Sequence, residues 1–162
     1  MSASVLGIDP GTAVTGYGVV EPANGRTGRL VECGVIRTNP RLQMWRRLDE
    51  LFDGVSELIA RHHPRALAVE SVFYGKNVRT TVVLGEARGV ILLAGARAGL
   101  EIAEFAPALV KRSIAGRGAA AKGQVGYMVQ QLLRLTKPPA PSDAADGVAV
   151  ALTYLLRHRL AR

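Results

Sequence analysis

Three strand-like segments open the chain with no room for a helix between them, and this order constrains the fold more than any other feature of the sequence. Residues 5–8 form a short apolar run that closes on Asp9, and beyond Pro10 and Gly11 residues 14–20 read as a second strand. Residues 21–28 (EPANGRTG) are dense in turn formers, and residues 30–37 read as a third strand. Connections this short join antiparallel neighbours, so the chain begins as a meander.

Helices and strands then alternate. Asn39 and Pro40 supply an N-cap and a first helical residue, and Leu42, Trp45, Leu48, Phe52, Val55 and Ile59 recur at helical spacing up to His62. Pro64 ends this helix, and residues 66–69 form an apolar strand that delivers Glu70. From Asn77 to about Ala98 the pattern is helical again, with Val78, Val82, Gly85, Gly89 and Leu92 along one stripe and Gly99 as the stop. Residues 100–105 read as a fifth strand. A short helix from Pro107 to Ile114 follows, then a loop of Gly116, Arg117 and Gly118, and a helix from about Lys122 to Leu135. The KPPAP segment breaks the chain, and Ser142 caps a last helix that runs to the C-terminus. The order βββαβαβ followed by helices predicts an α/β fold, a mixed five-stranded sheet flanked by helices. A chain of 162 residues can bury roughly 70% of its unfolded surface around one core, so residues 1–162 are expected to form a single domain.

The acids are placed selectively. Asp9 closes the first strand and Glu70 the fourth, while Asp143 and Asp146 stand three residues apart in the first turn of the last helix and so share a face. Asp143 and Asp146 also suit the positive end of a helix macrodipole, and Asp9 before Pro-Gly suits a turn. Glu70 is harder to assign to local structure, because it directly follows the apolar run ALAV, where an unpaired charge is costly. If the first and fourth strands are neighbours, all four carboxylates converge. Such a cluster needs compensating cations, and hard oxygen ligands suit Mg²⁺ or Mn²⁺. Two such ions about 3.5 to 4 Å apart can serve the attacking and leaving oxygens of phosphodiester hydrolysis.

Charge points the same way. Against 13 Asp and Glu there are 21 Lys and Arg, a net +8 with a pI near 10.4, which favours polyanions, nucleic acid before an anionic membrane surface. The lone Cys33 excludes an intramolecular disulfide and a cysteine-based zinc cluster and fits a reducing compartment. The N-terminus lacks a basic region and a long apolar core, and the longest apolar stretch, residues 89–96, is far short of a membrane span, so a cytoplasmic protein with no membrane partner is expected. His62, His63 and His158 stand near helix C-termini, which imidazole complements. Asp49, Glu50, Asp53 and Glu57 form an acidic, solvated face opposite the Leu and Trp stripe.

Taken together, GIDPGTAVTGYGVV, AVESVFYGKNVRTTVVLGEARGV, the KR-S-I-AGRGAAAKGQV stretch and SDAADGVAVALTY resemble, in order and over nearly the whole chain, the RuvC family of Holliday junction resolvases. The resemblance implies a ribonuclease-H-like fold in which Asp9, Glu70, Asp143 and Asp146 bind two Mg²⁺, with Mn²⁺ a substitute, and carry the cleavage. It implies that Phe73, with Tyr74, stacks on unpaired bases at the centre of a four-way junction, and that Lys76, Asn77 and Arg79 follow where the strands pass. An aromatic face stacks on any base, whereas a Phe can also plug a core. Lys111 and Lys122 match basic positions near the scissile phosphate, and Arg112 and Arg117 are either DNA-backbone contacts or solvated. The family pairs its subunits through the helix that carries Gly85 and Gly89, and a homodimer makes two symmetric nicks. A branch-migration motor and its junction-binding subunit are further implied partners. Gly123 and Gly147 stand where larger residues are common, and KPPAP is unusually proline-rich, departures that bear on loop stiffness.

A different function class competes with this one. DPGTAVTG also resembles the first phosphate-binding turn of sugar-kinase and actin-like ATPases, but these require a second comparable domain, and no G-x-x-x-x-G-K-[ST] loop is present. A non-catalytic DNA-structure binder would account for the charge but leaves four converging acids unexplained.

Overall fold

Short apolar runs, some buried on both faces, and tight turns build the sheet. The computed structural model describes residues 3–11, 13–72, 75–116, 118 and 121–160. Phe73, Tyr74 and Arg117 lie outside the described residues, as does the side chain of Lys122. Strands β1 (Val5–Asp9), β2 (Val14–Ala23) and β3 (Arg26–Arg37) form the antiparallel meander. The β2–β3 hairpin is longer than the turn-rich stretch at 21–28 suggests. It narrows to Asn24 and Gly25, and Gly25 takes the left-handed φ of 69° that such a tight turn requires. Strands β4 (Ala66–Glu70) and β5 (Glu101–Phe105) add in parallel beyond β1, giving the order β3-β2-β1-β4-β5. The predicted mixed five-stranded sheet is therefore present, with β1 and β4 as neighbours.

Alternation along the strands creates two apolar layers. Leu6, Ile8, Val19, Leu67 and Val69 pack with Leu51, Val55, Leu58 and Ile59 of α1 (Met44–His62) and with Ala87, Ile91 and Ala94 of α2 (Val78–Arg97). Their neighbours Val5, Val20, Ala66 and Ala68 pack with α3 (Pro107–Ala115), α4 (Lys122–Leu133) and α5 (Ser142–Leu160). From Ala144 to Leu155 α5 is almost continuously buried, which is why its sequence VAVALTYL lacks a polar face.

Helix bounds or faces differ from the sequence reading in four helices. α1 begins at Met44 rather than Pro40, because Asn39 commits its side chain to a turn: its Oδ1 accepts from the Arg41 amide at 3.0 Å. Trp45 is 64% exposed and lies outside the core stripe. In α2 the buried face is Ala87, Ile91, Ala94 and Gly95, whereas Val78 and Val82 are 74% and 54% exposed and a Cβ on Gly85 or Gly89 would meet nothing within 4 Å. α4 stops at Leu133, where Arg134 turns left-handed with φ 54° and Leu135 donates its amide to the Gln130 carbonyl. α5 begins at Ser142 itself, directly after Pro141.

The histidines serve the fold at helix ends. His63 is the left-handed residue that closes α1, His158 lies 2.9 Å from the Tyr154 carbonyl and stacks on that tyrosine ring, and His62 pairs with Glu32 at 2.7 Å. Glu32 also accepts from Tyr17 Oη at 2.7 Å and from Arg61 at 2.9 Å, which ties α1 to β2 and β3. Burial, and then the bond to Glu32, push the Tyr17 phenol up to about 12. Burial also raises the Glu32 carboxyl, but the bonds from Tyr17 and His62 and the Arg61 charge outweigh it and hold the group below its ordinary value. A depressed carboxyl contributes stability that is complete above its unfolded value and is lost as pH falls through the folded one. Glu32→Gln is expected to cost about 1 kcal/mol in urea denaturation at pH 7. The deficit should shrink below pH 4.5, the ordinary value of the group. An equal deficit at all pH values would contradict this assignment.

Candidate metal centre

Strand parity alone aims two of the acids. Gly7 faces α5, with Ala151 and Gly147 against it, so Asp9, two residues on, projects from the same face of β1. Ala66 and Ala68 lie in the α5-side layer, so Glu70 does likewise on β4. The parallel register Val5↔Ala66 to Ile8↔Val69 brings the two strand ends side by side.

The other two acids arrive because α5 sits unusually close to the sheet. A Cβ on Gly16 would overlap the carbonyl oxygen of Asp143, one on Gly18 would meet Val148, and one on Gly147 would come within 2.5 Å of Tyr17 Cα. Gly16 is paired with Asp9 across β1 and β2, so the glycine that admits Asp143 is the residue beside Asp9. The sequence reading overlooked this seat. Its signal was present in Gly7, Gly16 and Gly18, small residues at one parity of two neighbouring strands. Gly147 was tied to loop stiffness, but it lies within α5 and forms part of the helix–sheet contact; Gly123 lies in α4 with open space around it.

Asp9, Asp143 and Asp146 each offer a carboxylate oxygen within 4.8 Å of the others, and all three are half-buried. Glu70 is outside that trio but lines the same 260 Å³ cleft as Asp9 and Asp146. Lys111 lines it too, with Pro107, Val110, Val125 and Ala149 as apolar walls. Three clustered carboxylates in a half-buried wall could hold a hard divalent cation, and they fit one better than they fit each other.

The other described sequence candidates are not among the residues that line this cleft. Lys76 and Arg79 are exposed beside the start of α2, and Asn77, carried over as a DNA contact, caps that helix by accepting the Thr80 amide at 3.2 Å. Arg112 is exposed on α3.

A family model described as Crossover junction endodeoxyribonuclease RuvC matches residues 5–154. The chain belongs to the RuvC family. Relatives named Crossover junction endodeoxyribonuclease RuvC include one from Pelotomaculum thermopropionicum, 49% identical over 93% of this chain and 91% of its own. Another, from Halorhodospira halophila, is 51% identical over 97% and 92%. The structure of T. thermophilus RuvC in complex with Holliday junction substrate aligns with a TM-score of 0.91 at 35% identity, covering 98% of this chain and 96% of that one. The yeast mitochondrial Holliday junction resolvase shares the fold, with a TM-score of 0.67 at 15% identity. The fold is thus ribonuclease-H-like, as the family resemblance implied. Among the described residues, no helix is long and apolar enough to cross a membrane.

Proposed function

We propose that this chain is a Mg²⁺-dependent, structure-selective endonuclease that resolves four-way DNA junctions by paired symmetric nicks in recombination and repair. The observation that carries the reading is the convergence of Asp9, Asp143 and Asp146, with Glu70 and Lys111 in the same cleft, in a +8 chain of the RuvC family. Asp9, Glu70, Asp143 and Asp146 would hold the metal, two ions to a subunit, with Mn²⁺ as a substitute. Bound ions supply Lewis-acid charge to an attacking water and to the leaving 3′ oxygen. Lys111 holds an ammonium in the cleft, where it steadies the charge that accumulates on the phosphate. The apolar walls limit water around the reacting group. Lys76, Arg79, Arg112, Arg117 and Lys122 bind the DNA backbone, Asn77 orders the start of α2 beside them, and Phe73 with Tyr74 stacks on bases freed at the crossover.

Two cuts require two sites. The outward stripe of Val78, Val82, Gly85 and Gly89 is the surface through which two copies would pair about a twofold axis, its glycines permitting close backbone approach. Its apolar exposure is otherwise unexplained in a single chain. Val82→Glu is therefore expected to convert a dimer at micromolar concentration into a monomer by light scattering after size exclusion. A native chain that is itself monomeric at that concentration would remove this surface from the account. A branch-migration motor and its junction-binding subunit are the cellular partners this activity calls for.

A synthetic four-way junction incubated with the native chain and Mg²⁺ tests the whole reading. Symmetric nicks with 5′-phosphate and 3′-hydroxyl ends, sealable by a ligase, are expected, and a linear duplex of the same sequence should remain intact. A junction left uncut, or cut no faster than the duplex, defeats the proposal.

A further inference from the structure

The feature that the cleft and the dimer stripe leave unused is an aromatic and cationic patch at the start of α1. Residues 37–47 carry four arginines and no acid. Within this stretch Trp45 is 64% exposed even though the Arg46 guanidinium lies 4.6 Å above its ring. Arg37, Arg41 and Arg46 are exposed as well. The nearest acids, Asp49 and Glu50, follow one helical turn later, and Glu50 is engaged by the Asn39 amide at 2.9 Å. A single exposed tryptophan is ordinary; one overlaid by a guanidinium among further arginines is a nucleic-acid platform in miniature.

Its place in the fold strengthens the case. Arg37 pairs with Val14 at the end of β3, Thr38 donates to the Ala13 carbonyl, and Asp9 pairs with Gly16 two residues along β2. The patch therefore leaves the same end of the sheet as the acidic cluster, displaced by two strand spacings, on the order of 10 Å.

We infer that Trp45 and the flanking Arg37, Arg41 and Arg46 form an accessory contact for a DNA arm that runs outward from the metal cleft. The arginines neutralise successive phosphates, while the indole offers a flat apolar face to the sugars and an N–H donor to the backbone. The inference rests on the junction-cleaving reading and adds to it a surface on the β3 side, beyond the cleft.

Trp45 is the single tryptophan of the chain, so its emission reports on this patch alone. Titrating the native protein with a synthetic four-way junction in metal-free buffer is expected to change that emission saturably, with the midpoint seen by gel shift. Trp45→Ala should weaken junction binding about tenfold, and Arg46→Gln should reduce the slope of log affinity against log salt by about one. Emission that is unchanged at saturating junction overturns the inference, as does Trp45→Ala binding within about twofold of native. Emission that responds to protein concentration without DNA also overturns it, because the patch would then be a contact between copies. Cleavage of the same junction by the native chain with Mg²⁺, measured in parallel, reports on the proposed function separately.

Discussion

Asp9→Asn is expected to reduce junction cleavage in Mg²⁺ by about 10³-fold, equivalent to about 4 kcal/mol of transition-state stabilisation, while junction binding in metal-free buffer stays close to native. The substitution keeps size and hydrogen-bonding capacity and removes one charge from a trio whose oxygens lie within 4.8 Å of one another. It therefore acts on cation affinity rather than on packing. DNA affinity arises elsewhere, from a net charge of +8 that the substitution would raise. A second readout separates metal binding from chemistry. Added Mg²⁺ should raise the melting temperature of the native chain, since a ligand that binds the folded state stabilises it, and should raise that of Asp9→Asn much less. Native-like cleavage by the variant would remove Asp9 from the metal centre.

Gly16→Ala is expected to impair both stability and cleavage, although Gly16 carries no functional group. The added methyl would overlap the Asp143 carbonyl, and the atoms nearest to it, Asp143 O, C and Cα, are all backbone. No rotamer change can relieve the overlap, so the first turn of α5 must move off the sheet. Overpacking of this kind costs about 1–3 kcal/mol or more, which outweighs the roughly 0.4–1 kcal/mol gained by stiffening the unfolded chain. A displacement of about 1 Å can cost on the order of 10²-fold in rate, because Asp143 and Asp146 travel with the helix while Asp9 stays on β1. Gly123→Ala is the matched control. With open space around its Cβ position in α4, it should gain roughly 0.5–1 kcal/mol. Urea midpoints and single-turnover cleavage measure both variants. If Gly16→Ala unfolds and cleaves as the native chain does, the close seat of α5 does not position the acids.

Much of this molecule was legible from its residues. Successive short turns forced a meander, an apolar run after Pro64 marked β4, the segment between Gly99 and Pro107 marked β5, and Asn77 marked the start of α2. Local signals failed where two residue types competed for one role. Asn39 and Pro40 are as good a turn as a helix start, and the Asn39 side chain settled the matter by bonding to Arg41. Trp45 fell at helical spacing with Leu48 and Phe52, but at the first turn of α1 it is 64% exposed, and only Leu48 and Phe52 pack against the core. The stripe of α2 had the opposite fate. Its spacing was recognised, yet the face that packs on the sheet is the one with Ala87, Ile91 and Ala94; Val78, Val82, Gly85 and Gly89 of the recognised stripe point outward, and Leu92 alone among its members packs against the core.

The residues alone determined that Asp9 and Glu70 end strands and that Asp143 and Asp146 share a helix face, because periodicities of two and 3.6 are properties of the local chain. Only the tertiary structure decided that three of these acids draw within 4.8 Å of one another while Glu70 lines the same cleft outside that trio. Periodicity says which side chains share a direction; it does not say how near another element lies on that side. Here the distance was set by hydrogen atoms at Gly7, Gly16, Gly18 and Gly147, where the absence of a side chain allows a helix and a sheet to meet at backbone contact.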